Sequence, residues 1–207
     1  YEGKVRYECY EEDIEPKIGN ASAIAVGPGL GMSEEVTEFV NKLITEVDKT
    51  VIIDADGLNA ISKNPSVLLS LKHVPVITPH PGEMSRLTGL KISEILHDTV
   101  SVARNFAMQY NSIVVLKDAR TVVASPDGRV IINVTGNPSM ATGGSGDVLT
   151  GVISSLIAQG LAPFDAAAVG VYLHGLSGDI CRDKLGSYGV MAGDIAENIA
   201  EAVKQFR

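Results

Sequence analysis

The 207-residue sequence predicts an α/β fold with a mostly parallel sheet and helices on both faces. Three observations carry this expectation. Short apolar runs alternate with longer stretches of helical periodicity, the order that parallel strands with helical crossovers require. The runs are apolar without a polar face, as strands covered on both sides are. Each run stops at a turn rich in glycine, proline or carboxylates.

The first twenty residues are acidic and weakly patterned, with Glu11-Glu12-Asp13 at their middle, and read as an edge strand or connector. Ala23-Ile24-Ala25-Val26 is the first buried strand, ending at Gly27-Pro28-Gly29-Leu30-Gly31. Ser33 suits an N-cap and Glu34 and Glu35 suit a first helical turn. Val36, Phe39, Val40, Leu43, Ile44 and Val47 then fall on one helical face. Val51-Ile52-Ile53 is the second strand, Val74-Pro75-Val76-Ile77 the third, and Ile113-Val114-Val115-Leu116 the fourth. One helix is expected over residues 92–110. Thr121-Val122-Val123-Ala124 and Val130-Ile131-Ile132-Asn133 flank an Asp127-Gly128 turn, which predicts an antiparallel hairpin. A glycine-rich stretch and three helices complete the chain. No linker interrupts it, so it reads as one domain.

Composition narrows the function. Apolar residues are 45% and charged residues 20% of the chain, which is globular composition and excludes disorder. A formal net charge of −8 opposes nucleic-acid binding. No apolar run is long enough to span a bilayer, so no membrane role is expected. Cys9 and Cys181 are too few for a disulfide framework, and a cytoplasmic location follows as the natural expectation.

Four strand ends carry unusual residues: the glycine turn 27–31, the Asp54/Asp56 pair, the His80/Glu83 turn, and Lys117. Ligands of open α/β sheets bind outside the carboxyl ends of the strands, so these residues should share one crevice. The segment Met140-Ala141-Thr142-Gly143-Gly144-Ser145-Gly146-Asp147-Val148-Leu149 is the most informative. Its glycines let the backbone approach a ligand, and the following helix points free N–H groups at an anion. Asp147 there reads as a base taking a proton from an attacking hydroxyl, or alternatively as a residue that satisfies the helix dipole. Asp54 and Asp56 either bind a metal or, slightly favoured, cap the next helix. Pro79 and Pro81 fix His80 as a ligand contact or a structural histidine. Lys117 either meets a phosphate or extends into solvent. The terminal helices, with His174, read as tight packing.

Taken together, Gly27 to Gly31, Asp54-Ala55-Asp56-Gly57-Leu58-Asn59, Thr78-Pro79-His80-Pro81-Gly82-Glu83, and Gly136-Asn137-Pro138 through Gly146-Asp147-Val148-Leu149-Thr150-Gly151 resemble the ADP-dependent NAD(P)H-hydrate dehydratase family. That family is a branch of the ribokinase-like fold, so the resemblance implies a three-layer α/β/α domain over residues 1–207, truncated at its N-terminus. It also implies repair of hydrated NADH and NADPH: a nucleotide phosphoryl group activates the ring hydroxyl, phosphate leaves, and the double bond returns.

By the same resemblance Asp147 matches the base and a substrate contact, and Gly29, Gly31 and His80 match substrate-binding positions. Lys117, Asp118, Ala119, Arg120 and Thr121 match the adenine-nucleotide segment, with Asp118 where the family has glycine. Gly143, Gly144, Ser145 and Gly146 match the phosphate loop, with Ser145 in place of the commoner threonine. The loop resembles the bacterial, ADP-using branch. Magnesium is expected with the nucleotide phosphates, with Glu83 holding it through water by analogy with the kinases of this fold. A homotetramer is expected on the resemblance alone. Two other readings remain beside it: a ribokinase-like vitamin-precursor kinase, which has asparagine where His80 stands, and a nucleotide-binding remnant without catalysis.

Overall fold

The computed structural model describes residues 14–206; the acidic run Glu11-Glu12-Asp13 lies outside them. Within the expected N-terminal connector, Glu15–Ile18 form a single helical turn, α1. Six strands then make one sheet: β1 (Ala23–Val26), β2 (Thr50–Ile53), β3 (Val76–Ile77), β4 (Ile113–Leu116), β5 (Val122–Ala124) and β6 (Val130–Ile132). They lie side by side in sequence order, β1 to β4 parallel, with the β5–β6 hairpin added antiparallel.

This order decides where the helices go. Right-handed crossovers that all step in one direction place their helices on one face of the sheet. Those helices are α2 (Glu34–Glu46), α3 (Asp56–Ile61), α4 (Pro81–Thr88), α5 (Ile92–His97) and α6 (Thr99–Gln109). Their apolar sides pack on Val51, Ile53, Ile77, Val114 and Leu116. The alternate strand residues Ile52, Val76, Ile113 and Val115 point the other way, against α7 (Ser145–Ala158) and α8 (Pro163–Leu185). The result is the expected three-layer α/β/α arrangement. Both faces of β2, β3 and β4 are sealed, and burying each such side chain contributes about 1.5–3 kcal/mol.

Ser33 caps α2 by accepting the Val36 amide on its Oγ at 3.2 Å, and the predicted apolar face of α2 is buried. Two expectations are corrected. The helix over residues 92–110 is two helices, because Asp98 leaves helical geometry and its carboxylate caps α6 through the Ser101 amide. The third strand spans only Val76–Ile77, because Pro75 has no N–H for the ladder, although its carbonyl accepts from Ile113. The last helix, α9 (Ala192–Lys204), packs on α8. Among the described residues no helix is long and apolar enough to cross a membrane.

Candidate active site

The carboxyl ends of β1 to β4 lie at one edge of the sheet, and the start of α7 meets them there. Sharp turns make this possible. Gly27 adopts φ +131°, and any Cβ on it would run into the Asp54 carbonyl, so only glycine allows β1 to turn so close to β2. A Cβ on Gly57 would stand 2.9 Å from the Val26 carbonyl oxygen, so this position is close-packed as well.

Asp54 sits at the centre. Its carboxylate is buried, accepting from Lys117 Nζ at 2.9 Å on Oδ1 and from Thr150 Oγ1 at 2.8 Å on Oδ2. This ties β2 to β4 and to the second turn of α7. The expectation that Asp54 caps the next helix is therefore wrong: α3 has no side-chain cap. Asp56, its companion, accepts the Gly31 amide at 2.8 Å and the Asn59 amide group at 3.4 Å, which pins the glycine turn over the strand ends. Lys117 neither extends into solvent nor stands alone. Besides Asp54 it approaches Glu83 Oε2 at 3.9 Å.

His80 is the N-cap of α4. Its Nδ1 accepts the amides of Gly82 and Glu83, while Glu83 Oε2 accepts the His80 amide at 2.8 Å. Because Nδ1 is an acceptor, the neutral ring carries its proton on Nε2. His80 Nε2 lies 3.5 Å from Glu83 Oε1, beyond a close hydrogen bond, and with the side chain half exposed this N–H is a donor that a crevice ligand can reach. The crevice, about 510 Å³, is lined by Met32, Ala55, Asp56, Asn59, His80, Glu83 and Arg86.

On the other side of Lys117 lies the glycine loop. Gly144 takes a left-handed conformation, φ +86°, and α7 begins at Ser145. Ser145, the first residue of α7, donates to the Thr142 carbonyl, and the next helical amide to donate back to the loop is that of Val148, to the Gly144 carbonyl. The amides of Gly144, Gly146 and Asp147 have no carbonyl partner among the described residues, so they form the anion cradle; the Ser145 amide is already engaged. A Cβ on Gly146 would stand 3.4 Å from Lys117 Nζ and 3.8 Å from Asp54 Oδ2, so glycine keeps the cradle open over that pair. Asp147 is exposed, and no described residue donates to its carboxylate. It does not cap α7, which leaves it available as a base.

Ser145 is held from behind. His174 Nε2 lies 3.0 Å from the Ser145 carbonyl and 3.3 Å from its hydroxyl. A carbonyl only accepts, so Nε2 carries the proton. Burial, first, and the charge of Lys117 hold the His174 pKa down to about 4, against a smaller upward pull from the Ser145 carbonyl. The expected packing role of His174 is thus joined by a polar one. Residues 118–120 form an exposed bend after β4, where Arg120 donates to the Val134 carbonyl at 2.9 Å and Thr121 Oγ1 reaches the Asp118 carbonyl at 3.4 Å.

The described side chains do not by themselves form a magnesium site. Among the described residues no three metal-ligating side chains cluster, and Glu83 is nearly buried with Oε2 committed to the His80 amide. Arg86 and the loop contact of His174 carry no signal in the sequence, and Thr150 stands in a recognised motif without a role. Asn59, whose Oδ1 accepts from Arg86 Nε at 2.8 Å, stood in a recognised motif without a role.

Comparison with known proteins accords with this geometry. The family described as NAD(P)H-hydrate dehydratase matches residues 4–201. A bifunctional NAD(P)H-hydrate repair enzyme of Moorella thermoacetica is 44% identical over 181 residues, 87% of this chain and 34% of that protein. An ADP-dependent (S)-NAD(P)H-hydrate dehydratase of Neisseria meningitidis is 38% identical over 195 residues, 92% of this chain and 64% of that one. The crystal structure of an ADP/ATP-dependent NAD(P)H-hydrate dehydratase from Bacillus subtilis, co-crystallised with ATP/Mg2+, superposes with a TM-score of 0.78 at 33% identity. That alignment covers 90% of this chain and 65% of that one. The architecture is ribokinase-like. The chain spans between about a third and two thirds of the length of these relatives.

Proposed function

The chain belongs to the NAD(P)H-hydrate dehydratase family, and from that membership we propose that it dehydrates the S hydrates of NADH and NADPH at the expense of ADP. The products are NAD(P)H, AMP and phosphate. The observation that carries this reading is the pairing of an open amide cradle with an unengaged carboxylate, Asp147, at the same helix start.

Each residue has a task in this proposal. His80 donates a hydrogen bond from Nε2 to the hydrated nicotinamide and orients it in the crevice, while Gly29 and Gly31, in the turn that Asp56 pins through the Gly31 amide, contact the same substrate. Residues 117–121 line the adenosine side and the amides of Gly144, Gly146 and Asp147 hold the transferring phosphoryl group. Asp147 takes the proton from the ring hydroxyl as that oxygen attacks the β-phosphorus of ADP. The bond from that phosphorus to the AMP oxygen breaks. Phosphate then leaves the ring carbon with the bonding electrons, the neighbouring carbon gives its proton to water, and the double bond is restored. Hydroxide would be a poor leaving group; phosphate is a good one, which is why the reaction consumes ADP. Lys117, fixed by Asp54, places a positive charge beside the phosphoryl group as negative charge develops there.

Magnesium bound to the nucleotide phosphates, a homotetrameric assembly and a cytoplasmic location belong to the same proposal and rest on the family resemblance. Magnesium would supply charge neutralisation, and no step depends on a protein ligand to it. The test is to mix full-length protein with hydrated NADH and ADP. Recovery of NADH absorbance with one AMP and one phosphate per turnover supports the reading. A stable phosphorylated product without NADH would point to the kinase reading, and bound ADP without turnover to the remnant.

A further inference from the structure

We infer that Arg86 is the phosphate-recognising residue of the His80 crevice and takes a phosphate of the dinucleotide; as applied to the hydrates, this rests on the dehydratase reading above. Arg86 lies on α4 and lines the same crevice as His80. Its position is fixed by a short relay. The Gly31 amide donates to Asp56 Oδ2, the Asn59 Nδ2 group donates to Asp56 Oδ1, and Arg86 Nε donates to Asn59 Oδ1 at 2.8 Å. The relay has only one sense, because a carboxylate must accept and a guanidinium must donate.

That sense has a consequence for charge. Arg129 pairs with Asp127, and Arg182 with Asp179 and Asp183. Arg86 has no carboxylate within ion-pair distance among the described residues, and its one described partner is a neutral amide oxygen. The relay therefore orients the guanidinium without neutralising it. With Nε engaged, the two terminal amino groups form the fork that matches two oxygens of a phosphate. The rest of the lining is acidic or neutral, Asp56 and Glu83 among it, so an anionic ligand finds its complement at Arg86. A volume of about 510 Å³ leaves room for a ring and its attached ribose phosphate. Both the pyrophosphate and a ribose 2′-phosphate have this chemistry.

The experiment is calorimetric titration of NADH and NADPH, which carry the same phosphates as their hydrates, onto full-length protein saturated with AMP. The parent is compared with Arg86→Gln, Arg86→Lys and Asn59→Ala. Arg86→Gln should weaken dinucleotide binding about 10- to 100-fold, the range for charge-assisted hydrogen bonds, with AMP affinity unchanged. Arg86→Lys should recover only part, because lysine keeps the charge but not the fork. Asn59→Ala should weaken binding less than Arg86→Gln, since it frees the guanidinium without removing it. Equal losses for NADH and NADPH place Arg86 on the pyrophosphate; a loss confined to NADPH places it on the 2′-phosphate. Unchanged binding in Arg86→Gln, or a parent that binds neither dinucleotide, overturns the inference. Arg86-dependent binding in a protein that cannot restore NADH would sink the dehydratase reading and leave this inference standing.

Discussion

Lys117 Nζ lies 2.9 Å from Asp54 Oδ1, although 63 positions separate the two residues in the chain. The contact joins the ends of β2 and β4 below the glycine loop, and Thr150 Oγ1 on Asp54 Oδ2 extends it into α7. One buried carboxylate thereby sets the position of the cation nearest the anion cradle.

Removing one partner should cost more than removing both. Asp54→Asn leaves Lys117 with only the more distant Glu83 carboxylate in a mostly buried place and should lower stability by about 3 kcal/mol, the low end for a broken buried pair, since Glu83 and some water remain. The double variant Asp54→Asn with Lys117→Met should be less destabilised than the sum of the single changes, by chemical denaturation. Strict additivity would show that the two charges act independently.

His80 serves two ends that can be separated. His80→Asn keeps a good N-cap for α4 but removes the Nε2 donor, so thermal stability should stay within about 0.5 kcal/mol of the parent while KM for the hydrate rises. ADP affinity should not change. His80→Ala should show the same rise in KM together with a stability loss of about 1 kcal/mol from the missing cap. Loss of a stoichiometric metal in either variant would contradict the assignment, because a ring whose Nδ1 accepts two amides is set as a donor and not as a ligand.

His174 predicts an acid limb in stability. Its pKa is about 4 in the folded chain against an ordinary value near 6.5. Between those values the unfolded chain holds a proton that the folded chain does not, so stability rises with pH there and is flat above it. On acidification from pH 6.5 the loss from this group should approach about 1.4 kcal/mol per pH unit. His174→Gln, which keeps a donor toward Ser145 without a titrating ring, should flatten that limb in denaturation midpoints. An unchanged slope would show that other groups carry it.

Much of this site was legible in the sequence, because the strand ends announce themselves by turn chemistry and the apolar runs by length. Gly27, Ser33 and the glycines of the loop at residues 143–146 signal their turns and caps locally, whereas Pro79 and Pro81 mark His80 as rigidly held without disclosing that it caps α4. Asp54 did not, since a carboxylate after a strand looks like a helix cap until its partners, 63 and 96 positions away, are in place. His174 lay between Leu173 and Gly175 on a largely apolar helix and read as packing; its partner Ser145 lies on another helix, 29 residues earlier. Arg86 carries no local signal, because its partner Asn59 lies 27 positions earlier. The break at Asp98 was hidden because α5 and α6 continue the same apolar periodicity across it.

The central claim is that Asp147 is the base of an ADP-dependent dehydration, and one measurement addresses it directly. The rate of NADH recovery from the S hydrate with ADP is compared in full-length parent protein and Asp147→Asn. Asparagine preserves the size of the side chain but cannot take the hydroxyl proton. Turnover should fall by about 10²- to 10⁴-fold while ADP binding and thermal stability persist. Recovery of NADH at near the parent rate would contradict the account, leaving Asp147 as a surface carboxylate beside the cradle and the base elsewhere.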